Sequence, residues 1–75
     1  MARSIGYVLS AAATIVQMCD AHQITAAEAV HRYFLPYRRA LSDAGRADDI
    51  RRHDENARMV ERLAAELLAW REAEP

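Results

Sequence analysis

The chain has no lysine, a single cysteine (Cys19), two glycines and two prolines in 75 residues. Each scarcity excludes something. A lone cysteine cannot form an internal disulfide, and with three scattered histidines it makes no closed ligand set of the kind a structural zinc requires. Cys19 and His22 stand at i,i+3, with His31 as a conceivable third ligand, but nothing else converges on them. No metal and no cofactor are expected. Few glycines and prolines, with no alternation of apolar and polar residues, argue against strands and tight hairpins. A net charge of −1 removes any global attraction to polyanions. A Gly-rich phosphate loop, a nucleophile elbow and a zincin pattern are all missing, so the chain is read as a non-enzyme.

Long apolar runs are missing too. The richest stretch, Ile5 to Val16, falls short of the roughly 20 residues that cross a bilayer. It follows Met1-Ala2-Arg3 in the manner of a weak leader, but Gln17, Cys19 and Asp20 offer no small-x-small cleavage site. A buried first helix in a cytoplasmic protein is the expectation.

What is present is helix-forming. Hydrophobic residues reach 52%, much of it alanine, and every positive side chain is arginine. Ile5, Val8, Leu9, Ala12, Ile15, Val16 and Cys19 share one broad face at helical period, giving a first helix over 4–21 with Ser4 as its cap. Ile24-Thr25-Ala26-Ala27-Glu28 carries a capping box with an apolar residue just before it, so a second helix starts at Ala26. Pro36 predicts a kink or a break near 35–36, and Gly45 a terminus just past residue 44. Asp48 and Asp49 suit the start of a third helix over 49–73. Its outer face offers i,i+4 pairs at Asp48–Arg52, Asp54–Arg58 and Arg62–Glu66. The fold expected is all-α, a small antiparallel three-helix bundle forming one domain over 1–75, with helix over about three-quarters of the chain.

Two surfaces stand out. The segment from His31 to Arg39 packs aromatic and arginine side chains around Pro36. Arg32, Tyr33, Tyr37, Arg38 and Arg39 are the expected partner-binding residues, because arginine and tyrosine are frequent interface anchors. Phe34 is assigned to the core, sharing a stripe with Ala27 and Val30. The second surface lies on the last helix, where Met59 to Trp70 cover a wider apolar arc than one neighbouring helix needs. Met59, Leu68 and Trp70 are therefore expected to mediate self-association, most economically as a homodimer. The function expected is docking on another protein as an adaptor, inhibitor or regulator. A helix-turn-helix-like or Arg/Tyr-patch nucleic-acid binder is the alternative, weakened by a reader helix that begins Thr25, Ala26, Glu28, Ala29 with no arginine or asparagine. An Asp49–His53 pair at i,i+4 could serve as a base but reads more simply as a surface pair.

Overall fold

The computed structural model describes residues 5–73. Three helices, α1 (Ile5–His22), α2 (Ala26–Asp43) and α3 (Ala47–Ala73), pack against one another, and 91% of the structure is helical, without strands among the described residues. Ser4, the expected cap of α1, lies outside them.

The connections are short and chemically specified. Gln23 closes α1 in the left-handed region at φ 55°, and its side-chain amide donates to the Asp20 carbonyl at 2.9 Å. Thr25 caps α2: the Glu28 N–H donates to Thr25 Oγ1 at 3.1 Å, and the Thr25 hydroxyl reaches Glu28 Oε1 at 3.4 Å. Thr25→Ala removes that acceptor and is expected to cost about 1 kcal/mol in chemical denaturation. An unchanged midpoint would show that the cap does not hold this end.

At the other joint, the Gly45 N–H donates to the Ser42 carbonyl and the Arg46 N–H to the Leu41 carbonyl, both at 3.0 Å. These are the two bonds of a Schellman motif, and Gly45 supplies its left-handed residue at φ 70°. No atom lies within 4 Å of a Cβ built there, so Gly45→Ala meets no clash and costs only the left-handed backbone, about 1 kcal/mol. A smaller loss in urea unfolding would show that the turn relaxes.

α3 begins at Ala47, two residues earlier than its sequence indicates. The Ile50 N–H bonds the Arg46 carbonyl, placing Asp48 and Asp49 inside the first turn, where their charge complements the helix dipole. α2 runs unbroken through Pro36. Of the alternatives at that residue, a stop near Phe34 is not what forms. Pro36 and Arg32, whose carbonyl loses its helical partner, are both exposed, so the missing bond falls on the solvent side.

Two cross-helix ion pairs mark the levels at which the helices meet. Arg71 near the end of α3 reaches Asp20 near the end of α1, and Arg38 late in α2 reaches Asp54 early in α3. α1 and α3 therefore run parallel, with α2 antiparallel to both. The core is thin. Among the described residues ten are buried, four of them alanine, and only Ile15 and Val60 are large side chains fully removed from water.

The shape is elongated along the 27-residue α3: the principal extents are 48, 26 and 13 Å and the radius of gyration is 13.2 Å, against about 11 Å for a compact chain of this length.

Candidate interaction surfaces

The five residues expected to form one binding patch divide among three directions. Tyr33 is half-buried against the core, its ring meeting Phe34 edge-on at 4.8 Å. Tyr37, one turn later, leans over Tyr33 at 6.4 Å and is 60% exposed. Arg38 turns towards α3 and forms a two-pronged contact with Asp54, Nε to Oδ1 at 3.0 Å and a terminal nitrogen to Oδ2 at 3.2 Å. Arg32 and Arg39, seven residues apart, lie on the outer face of α2 and are exposed. Only Tyr33 and Tyr37 share a concave surface.

That surface is a groove of about 940 Å³ where the end of α2 and the start of α3 project past the described start of α1. Tyr33, Phe34 and Tyr37 form one wall and His53, Asn56 and Met59 the other. Arg46 and Arg52 also line it, but both face Asp49: Arg46 pairs with it directly, and Arg52 approaches at 4.0 Å. The groove is therefore walled by aromatic and apolar side chains, with Asp49 between its two arginines and the exposed Glu55 also in its lining.

A smaller groove of about 320 Å³ runs between α2 and α3, beside the Arg38–Asp54 pair. Asp54 also accepts from His53 Nδ1 at 3.3 Å, in the tautomer that carries the proton there. His53 Nε2 is buried without a hydrogen-bond partner, and its ring stands edge-on to Phe34 at 5.2 Å. The lining carries no serine, threonine, cysteine or lysine that a base could activate. The i,i+4 partners read along α3 are replaced by others, one across the bundle and two within α3. Asp54 faces Arg38 rather than Arg58, His53 turns to Asp54 rather than Asp49, and Arg52 is nearest Asp49 rather than Asp48. Helical spacing marks neighbours on one helix only, and the Arg38–Asp54 contact spans 16 residues of sequence.

The hydrogen bonds from Arg38, more than those from His53, hold the Asp54 carboxyl below the ordinary aspartate range. Asp54 therefore binds its proton less readily in the folded chain than in the unfolded one. Its contribution to stability is present above the unfolded-state pKa of about 3.9 and is lost as pH falls through the lower native value. Asp20, held down mainly by its hydrogen bond from Arg71, acts in the same direction. Asp54→Asn should flatten part of the fall in melting temperature between pH 5 and pH 2. An unaltered acid limb would show that the Arg38–Asp54 pair contributes nothing.

The residues expected to self-associate also divide. Met59 is 56% and Trp70 66% exposed, whereas Leu68 is half-buried and packs on the core. Leu68 and Trp70 are two positions apart, about 200° around the helix, so they occupy opposite flanks of α3. A residue missed in the sequence joins the exposed flank instead: Leu9 of α1, 48% exposed although its spacing assigns it to the buried face. Its period marked the broad apolar side of α1 but not how far round it the neighbours reach.

Cys19 is buried, and burial, followed by the neighbouring Asp20 charge, pushes its thiol up, away from the reactive thiolate. His22 and His31 are exposed, and no three His, Cys, Asp or Glu side chains cluster in metal-binding fashion among the described residues. No described helix is long and apolar enough to cross a membrane. No family model, curated protein or solved structure matches the chain, so its function is read from its own residues.

Proposed function

We propose that the chain is a non-enzymatic helical interaction module that docks on another protein and works as a homodimer. The observation that carries this reading is exposed apolar surface. Four large hydrophobic side chains, Leu9, Tyr37, Met59 and Trp70, are each close to half exposed or more. A small bundle with so few large buried side chains gains most by covering such surface with protein.

The partner-facing region on this reading is the aromatic groove at the α2–α3 end, with Tyr37 on its wall and Arg32 and Arg39 on the adjoining outer face of α2. A phosphate-tracking surface draws less support. Arg38, Arg46, Arg52 and Arg71 all face carboxylates within the chain, which leaves no continuous basic stripe among them. On this reading the module acts as an adaptor, inhibitor or regulator, by occupying or bridging another protein.

The test compares tagged wild type with a Tyr37→Ala/Arg39→Ala variant whose melt is unchanged, each captured from native extract with and without nuclease. A protein recovered by wild type regardless of nuclease, and depleted several-fold by the variant, supports the reading. Recovery of nucleic acid, with affinity collapsing between low and physiological salt, overturns it.

A further inference from the structure

We propose that a second copy of this chain seats on the flank where α1 meets α3, with the two α3 helices antiparallel about a two-fold axis. This rests on the homodimer reading above and specifies its interface.

Three of the four exposed large hydrophobics, Leu9, Met59 and Trp70, converge on that flank. The Asp20–Arg71 contact, at 2.7 Å, ties one stripe of α1 to α3. Leu9 stands 11 residues before Asp20, three helical turns back on almost the same stripe, about 16 Å away. Counting 11 residues back from Arg71 along the parallel α3 reaches Val60, so Leu9 lies level with Met59. On α3, Met59, Leu63, Glu66 and Trp70 follow one another at intervals of four, three and four residues. That spacing forms a continuous seam along a helix, about 16 Å long here. Leu63 is half-buried at the inner edge of the seam, while Glu66 and Trp70 are exposed. The partner helix α2 approaches α3 from the other side, through Asp54 and Ala57, and leaves this seam uncovered.

The occupant follows from charge. In an antiparallel pairing with Met59 of one copy over Trp70 of the other, Leu63 comes level with Glu66 of the second copy. Arg62 is one residue from that level, within reach of the same carboxylate, and the two-fold axis repeats the contact. A parallel pairing in the same seam sets Glu66 against Glu66, two like charges brought together out of water. The seam is thus self-complementary in one orientation only, as an isologous interface requires.

Arg62 and Glu66 are both exposed in the single chain, so charge reversal at either leaves the core untouched. Arg62→Glu and Glu66→Arg are each measured alone and as an equimolar mixture by sedimentation equilibrium. Folding is checked by far-UV circular dichroism. Each variant alone brings like charges across the seam, and its dimer dissociation constant is expected to rise at least tenfold, moving the mass towards the single-chain 8.5 kDa. The mixture restores opposite charges at both contacts and is expected to recover the dimer mass as a heterodimer. Emission of Trp70, the only tryptophan, should shift to the blue with association and follow the mass. Variants that dimerise as wild type does, or a mixture that stays monomeric, overturn this seam while leaving a homodimer through another surface. Wild type that is monomeric throughout overturns the seam and the homodimer reading together.

Discussion

Truncating Phe34 to alanine is expected to destabilise the chain by about 3–5 kcal/mol. The total stability of a chain of this size is only about 4–11 kcal/mol, so the loss removes most of the margin. Phe34 is 4% exposed. Its ring meets His53 of α3 at 5.2 Å and Tyr33 at 4.8 Å, both edge-on. It thus ties α2 directly to the start of α3 from within a core that otherwise leans on alanine and valine. Alanine there opens a void between the two grooves and takes the aromatic contact away from His53. Phe34→Leu, which keeps most of the volume, should cost less than about 1.5 kcal/mol. The comparison is made by urea denaturation at fixed protein concentration. If both variants lie within experimental error of wild type, the α2–α3 junction is not where the bundle is held.

The second large effect has the opposite sign. Pro36→Ala is expected to stabilise the chain, by up to about 3 kcal/mol, the difference between alanine and proline inside a helix. α2 continues on both sides of Pro36, so alanine restores the N–H that bonds the Arg32 carbonyl and relieves the ring against that carbonyl. The side chain is exposed, and no packing is sacrificed. Part of the gain is offset, because proline also stiffens the unfolded chain, by about 0.4–1 kcal/mol at sites it fits without strain. A thermal melt of Pro36→Ala that falls below wild type would mean that the proline conformation is needed where it stands. If the melt rises while capture of the physiological partner weakens, the local cost at Pro36 is tied to the shape of the Tyr33–Tyr37 wall.

Local chemistry made the helices legible, and the third dimension made the surfaces much less so. The Thr25–Glu28 cap and the Gly45 terminus each depend on side chains or backbone conformations within a few residues. They form as the residue types require. The buried assignments of Phe34, Ile15 and Cys19 also follow from helical period. Pro36 was harder to read, since its cost depends on which side of the helix loses its hydrogen bond, and here that side faces water. Composition along a single segment marks candidate binding residues but not the direction each one faces. At 100° per residue five such residues necessarily point in several directions, so Arg38 is taken up by Asp54 and Tyr33 by the core. Leu68 and Trp70 separated for the same reason. Leu9 became part of an exposed flank because α3 covers α1 less widely than the apolar face of α1 extends. Contacts between residues far apart in sequence, such as Asp20 with Arg71, carry no periodic signal and emerge only once the helices are placed.

On the proposed reading this chain completes its burial by self-association, which sedimentation equilibrium of the wild-type protein from micromolar to near-millimolar concentration at neutral pH would reveal. The expected mass rises with concentration to twice the 8.5 kDa of one chain, fitted by a single monomer–dimer equilibrium. A mass that stays at 8.5 kDa over the whole range, in a protein shown to be folded, would contradict it.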